Sequence, residues 1–160
     1  VTASITNNNS QDPNGQCYSE TTIDFVVNTV PIANSIEPFK RPRSSMAPTM
    51  VFNSDHTLKL VLGSPGGSRI INYVTQTIIG ILDWKLAPQQ AINLPKVTNR
   101  NKVTTLEKQT SIAHLKADLQ AKGHQVFLRD LNIGLHAIEV TKDGLLGGAD
   151  PRREGRVLAK

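Results

Sequence analysis

A chain of 160 residues that is 38% hydrophobic can bury one core, and it is neither a disordered polyelectrolyte nor, lacking any long apolar run, a membrane-spanning helix. Its net charge of +5 invites a nucleic-acid partner, but the basic residues are scattered in small groups and aromatics make up 4%, too few for a base-stacking surface. The lone Cys17 excludes an intrachain disulfide framework and a cysteine-rich zinc site, and His56, His114, His124 and His136 have no ligand spacing, so no metal or other cofactor is expected.

In chain order, residues 1–6 read as the tail of a strand. The start at Val1, without Met or a signal-like stretch, suggests a piece of something longer. Residues 7–16 read as a polar loop with turn chemistry at Asp12-Pro13 and Asn14-Gly15, and residues 21–27 as a short extended segment. Three prolines hold residues 31–42 off regular structure. Two β-like runs, 50–52 and 58–62, bracket the turn-prone Ser54-Asp55-His56 and predict an antiparallel hairpin. Ile70, Ile71, Val74, Ile78, Ile81 and Leu82 then recur at helical spacing, widened by Tyr73 and Ile79, so a largely buried helix is expected. Residues 88–92 add a helical turn and residues 93–102 a polar linker. Residues 103–106 predict a strand, and Thr110 or Ser111 caps a helix with Ile112, Leu115 and Leu119 as its stripe and Gly123 at its end. Strands follow at 125–128 and 137–141, Lys142-Asp143-Gly144 turns the chain, and residues 147–152 close the ordered part. With no repeats and no clean βαβ rhythm, the class is α+β, a single domain of helices layered on a mainly antiparallel sheet.

The chemistry concentrates at one end of the hairpin. Ser44 and Ser45 precede its first strand, and Gly66 and Gly67 follow its second, so antiparallel pairing brings the two pairs close together. A glycine turn opening a helix leaves backbone N–H groups without intrahelical partners, and the missing Cβ lets a bound group approach. Beside paired hydroxyls, that makes an anion or oxyanion site. The same residues also fit a plain strand-to-helix turn with ordinary turn hydroxyls. They form neither a P-loop nor a dinucleotide fingerprint, since Gly-Lys-Ser/Thr and Gly-x-Gly-x-x-Gly are both absent.

Together, Arg41-Pro-Arg-Ser-Ser-Met-Ala-Pro-Thr49, Leu62-Gly-Ser-Pro-Gly-Gly-Ser-Arg-Ile70 and Gly148-Ala-Asp-Pro-Arg152 resemble the small subunit of the γ-glutamyltranspeptidases, which are N-terminal-nucleophile hydrolases. The similarity runs, with gaps, over nearly the whole chain. It implies a layered α+β fold of mainly antiparallel sheet with helices, residues 1–160 forming the small-subunit half. It implies a self-cleaving precursor, a large subunit from that precursor as heterodimer partner, and a periplasmic or secreted location. The implied activity is transfer or hydrolysis of the γ-glutamyl group of glutathione and related compounds through a threonyl acyl-enzyme. By resemblance, Gly66 and Gly67 form the oxyanion hole, and Ser44 and Ser45 bind the substrate α-carboxylate. Asp24 pairs with the α-ammonium, Thr6 orients the nucleophile and Asn8 contacts the α-carboxylate.

The departures are specific. The family's Thr-Thr-His-x-Ser start is absent, which places the expected nucleophile a short stretch before Val1 and leaves these residues alone inactive. Thr21 stands where the family has a Gln or Glu that helps hold the α-ammonium, and polar residues from Asn9 onward replace a Phe-Gly-Ser-Gly run. Two other readings stay open: an acylase of the same threonine chemistry on a non-glutamyl amide, such as a cephalosporin or glutaryl compound, and a non-catalytic anion-binding relative.

Overall fold

The structure, a computed structural model, describes the backbone of residues 2–11 and 17–26 and all of residues 35–101 and 103–158. The chain forms two units, Val1–Arg43 and Ser44–Lys160. The first holds an antiparallel ribbon of β1, Thr2–Gln11, and β2, Cys17–Val26, in register from Thr2 opposite Val26 to Gln11 opposite Cys17. The expected loop over residues 7–16 is therefore strand as far as Gln11. Asparagines have poor β propensity, but Asn7, Asn8 and Asn9 lie opposite Thr21, Glu20 and Ser19, and ladder pairing overrides the local preference. The turn residues Asp12-Pro13 and Asn14-Gly15 lie outside the described residues.

The second unit opens with β3, Thr49–Phe52, and β4, Leu58–Gly63, antiparallel as predicted. Asn53 N–H donates to the Thr57 carbonyl at 2.9 Å, and Asp55 Oδ1 accepts from Thr57 N–H at 3.0 Å, closing the turn between them. A single 3-10 turn, Gly67–Arg69, leads into α1, Ile70–Leu82, whose buried face is Ile70, Tyr73, Val74, Thr77, Gly80 and Ile81. Next comes α2, Pro88–Asn93, in which Gln90 Oε1 accepts the Ala87 N–H at 3.1 Å and Pro88 fills the first position, where no N–H is needed. A Cβ at Gly80 would lie 3.0 Å from the Ala91 Cβ, so the missing side chain lets the two helices approach.

The remaining strands build two sheets. Strand β8, His136–Thr141, pairs with β4 and with β9, Gly144–Ala149, giving the antiparallel order β3-β4-β8-β9. Residues 147–149 thus belong to a strand rather than closing loop, the glycine-rich sequence masking a sheet position. The smaller sheet, β5-β6-β7, comprises Val97–Asn99, Val103–Glu107 and Gln125–Arg129. Strands β6 and β7 are parallel, joined through α3, Leu115–Ala121. One βαβ crossover is therefore present where the sequence shows no such rhythm. The helix starts later than Thr110 or Ser111, because the Thr110 hydroxyl donates to the Glu107 carbonyl at 2.7 Å and closes a turn behind β6 instead of capping.

The polar stretch 93–102 contains β5, made possible by partners distant in sequence. Gln76 of α1 accepts the Val97 N–H at 3.2 Å and donates to the Val97 carbonyl at 2.6 Å, acting as a surrogate strand edge. The core lies between the inner face of the larger sheet and the first two helices, around Leu60, Leu62, Tyr73, Ile92, Ile133 and Leu135. The sheet's outer face is different. Its register aligns Met50, Val61 and Ile138 across β3, β4 and β8, with Val140 opposite Leu145 beside them. Met50, Ile138 and Leu145 are 64%, 47% and 70% exposed, so this face is an open apolar surface.

Candidate active site

The Gly66 turn is fixed by backbone conformation. Gly66 has φ 138° and ψ 11°, and Gly67 has φ 58°, both in space that glycine enters freely and other residues enter with strain. The Gly66 carbonyl accepts Arg69 N–H at 3.3 Å and the Gly67 carbonyl accepts Ile70 N–H. Both carbonyls turn into the helix start, and the N–H groups of the first turn have no intrahelical partner. A Cβ on Gly66 would lie 2.8 Å from Cε2 of buried Tyr73, whereas one on Gly67 would meet nothing within 4 Å. Gly66 is thus packed from behind, and Gly67 presents open backbone.

The hairpin brings the serines to this end. Thr49 pairs with Leu62, and Ser45 lies four residues before Thr49 as Gly66 lies four after Leu62. Ser44 is exposed and its Oγ accepts the Met46 N–H at 3.2 Å, while Ser45 is half-buried. In the first unit, Thr6 lies opposite Thr22, Asn8 opposite Glu20, and Asp24 opposite Ser4. That register places Thr6, Asn8 and Asp24 on one face of the β1–β2 ribbon.

The third sequence motif braces the turn. Asp150 is fully buried; its Oδ1 accepts from Arg152 N–H at 3.0 Å and Nη1 at 3.1 Å, and its N–H donates to the Leu135 carbonyl at 2.9 Å. Arg152 also donates through Nε and Nη2 to Glu107, and to the carbonyls of Ile92 and Leu94. Glu107 Oε2 accepts the Lys96 N–H at 2.9 Å, and Lys96 Nζ donates to the Ala91 carbonyl at 2.8 Å. Burial, reinforced by the Arg152 charge, lowers the Lys96 ammonium to about 8. A Cβ at Gly134 would lie 2.7 Å from Pro65 Cγ and 2.9 Å from Arg153 Cδ. The segment leading into β8 is therefore packed between Pro65 of the Gly66 turn and Arg153 beside the Asp150 motif.

Arg69 carries no role legible in the sequence, although it closes the Gly63-Ser-Pro-Gly-Gly-Ser-Arg69 motif. A cleft of about 300 Å³ is lined by Gly66, Arg69, Tyr73, Arg129 and Asn132, among others, and burial raises the Tyr73 phenol above its ordinary range. The signal was present only as Gly-Gly-Ser-Arg; Arg129, more than fifty residues away in sequence, joins it through the β6–β7 crossover.

The family model described as Gamma-glutamyltranspeptidase matches residues 5–160. The chain is 42% identical over 123 residues to the glutathione hydrolase proenzyme of Escherichia coli strain K12, covering 75% of this chain and 21% of that protein. To an acylase proenzyme of Pseudomonas sp. strain SE83 it is 36% identical over 119 residues, 73% of this chain and 21% of that protein. It therefore spans about a fifth of the length of these curated relatives. A crystal structure of acivicin-inhibited γ-glutamyltranspeptidase superposes with TM-score 0.69 and 29% identity, covering 94% of this chain and 100% of that one. The motifs, the layered α+β fold and the family match over residues 5–160 agree, and the chain belongs to the γ-glutamyltranspeptidase family.

Proposed function

We propose that residues 1–160 are the small-subunit domain of an enzyme that hydrolyses or transfers the γ-glutamyl group of glutathione and related compounds. The observation that carries this reading is the paired glycine turn, Gly66 at φ 138° and Gly67 at φ 58°, opening a helix at the hairpin end that also bears Ser44 and Ser45. A threonine hydroxyl outside these residues attacks the γ-carbonyl carbon, and the carbonyl oxygen gains negative charge. N–H groups of the Gly66–Gly67 turn donate to that oxygen. The C–N bond then breaks, the amine leaves with a proton, and water or an acceptor amine attacks the acyl-threonine. Ser44, Ser45 and Asn8 hold the α-carboxylate, Asp24 the α-ammonium, and Thr6 orients the nucleophile.

The partner in this reading is the large subunit of the same self-cleaving precursor. Two features support it: the relatives are named proenzymes, and the outer face at Met50, Ile138 and Leu145 is an apolar surface of the kind a partner covers. The location is periplasmic or secreted, and among the described residues no helix is long and apolar enough to cross a membrane. Likeness to an acylase proenzyme keeps a non-glutamyl amide as the second reading. The test is a rate comparison in the complete enzyme between a γ-glutamyl anilide and a glutaryl anilide, which lacks the α-ammonium. A strong preference for the γ-glutamyl compound is expected; equal rates would refute this reading in favour of the acylase.

A further inference from the structure

We propose that Arg69, Arg100 and Arg129 form a groove that binds the free carboxylate of the peptide leaving from, or accepting, the γ-glutamyl group; this rests on the γ-glutamyl reading above. The three arginines are dispersed in the sequence and gathered by the fold. Arg69 ends the 3-10 turn after Gly67, Arg100 follows β5, and Arg129 ends β7. Together with Val103, Thr105 and Phe127 they line a groove of about 360 Å³. The parallel register sets Thr105 opposite Phe127, and the Arg129 guanidinium carbon lies 6.0 Å from the Phe127 ring centroid. Arg69 and Arg129 also line the cleft that contains Gly66, so groove and oxyanion turn share a wall.

The charge is unbalanced there. Among the described residues, no carboxylate lies within ion-pair distance of these three guanidiniums. Asp130, on the Gly66 side, lies 3.9 Å from the Lys108 ammonium instead. Arg69 Nε is sealed from solvent without an acceptor. The neighbouring arginines behave differently: Arg152 is held by two carboxylates and Arg153 Nε donates to Asn132 Oδ1 at 2.8 Å. Like charges gathered without a counter-ion repel, and guanidinium forks match a carboxylate in shape and charge. Reach agrees as well, since an extended dipeptide carries its terminal carboxylate roughly 7 Å from the nitrogen of the bond that breaks. Arg69 lies three residues beyond Gly66, about one helical turn. The γ-glutamyl end and the peptide end of one substrate are then read by different parts of the same strand-to-helix junction. The groove takes no part in bond making; it selects among peptides.

The experiment compares glutathione with a γ-glutamyl anilide, whose leaving group has no carboxylate, in the complete enzyme and its Arg129→Gln and Arg100→Gln variants. The ratio of kcat/KM for glutathione to that for the anilide should fall about ten- to a hundred-fold in Arg129→Gln, mainly through KM. Arg129→Lys, which keeps the charge, should recover part of it. Glutathione amidated at its glycine carboxyl should be a poor substrate for the unmodified enzyme and indifferent to Arg129→Gln. An unchanged ratio in both glutamine variants would overturn the proposal. So would an equal fall on both substrates, which would mean that the groove holds an acidic segment of the rest of the protein. If the unmodified enzyme turns over neither γ-glutamyl compound, the γ-glutamyl reading itself fails, and the groove proposal with it.

Discussion

Alanine at Gly66 and alanine at Gly67 should fail in different ways, and the difference separates a structural turn from an oxyanion hole. At Gly66, φ 138° is a conformation that L-residues rarely adopt, and the new Cβ would lie 2.8 Å from Cε2 of Tyr73. Tyr73 is 2% exposed and cannot swing aside into solvent. Backbone strain of about 1–3 kcal/mol adds to overpacking of about 1–3 kcal/mol, so Gly66→Ala should destabilise by roughly 2–6 kcal/mol. At Gly67 the backbone has a positive φ of 58°, with nothing within 4 Å of the added methyl. The strain there is about 1–2 kcal/mol, and the protein should fold. That methyl would stand in open space beside the backbone, and in the proposed role it would disturb an oxyanion donor. Misplacing one oxyanion donor lowers kcat by on the order of 100- to 1,000-fold. The assay is denaturant unfolding together with γ-glutamyl anilide turnover, both on the complete enzyme. Normal stability with unchanged kcat in Gly67→Ala would show that the glycines serve only to turn the chain, and the oxyanion argument would fall.

Ser45→Ala should lower kcat/KM for a γ-glutamyl anilide roughly 10- to 200-fold, from the loss of one hydroxyl to a charged carboxylate. Asp24→Asn should impair that substrate at least as much and a glutaryl anilide little; equal loss on both would make Asp24 a support for the ribbon. Glu107→Gln leaves Arg152 short of one of its two buried counter-charges, and should destabilise by about 3–5 kcal/mol in denaturant unfolding. Lys96 has a folded value of about 8 against 10.5 when unfolded, so between those values the unfolded chain binds the extra proton and stability rises with pH. Lys96→Met should abolish that rise, measured as the change in unfolding midpoint from pH 7.5 upward.

What could be read from the sequence was local. The hairpin, the long apolar helix and the glycine turn between them follow from alternation, helical spacing and turn chemistry within some thirty residues. What could not be read depended on distant partners. Strand β5 exists because Gln76 satisfies Val97 and Glu107 anchors the Lys96 N–H just before it, and neither advertises that role in sequence. Strand β9 hides in a glycine run because Gly147 and Gly148 sit where Val157 and the Pro88–Gln89 backbone leave no room for a side chain. The parallel β6–β7 pair depends on a crossover whose helix buries no residue fully and so shows only a weak stripe.

The separation of the three motifs in sequence conceals how directly they bear on one another. Gly63 of β4 pairs with His136 of β8, and Asp150 holds Leu135, the residue before it, by N–H and carbonyl alike. One step further back, Gly134 is wedged between Pro65 of the glycine turn and Arg153 beside the Asp150 motif. An error at Asp150 or Arg152 would therefore reach the Gly66–Gly67 turn through two residues of packed backbone. Buried carboxylates held by Arg152 are an expensive way to stabilise a fold, since apolar residues of similar volume often do as well. They are a good way to fix a position, because a bidentate guanidinium tolerates little displacement. The network is thus suited to hold the Gly66–Gly67 turn in one position, which the proposed oxyanion role would need.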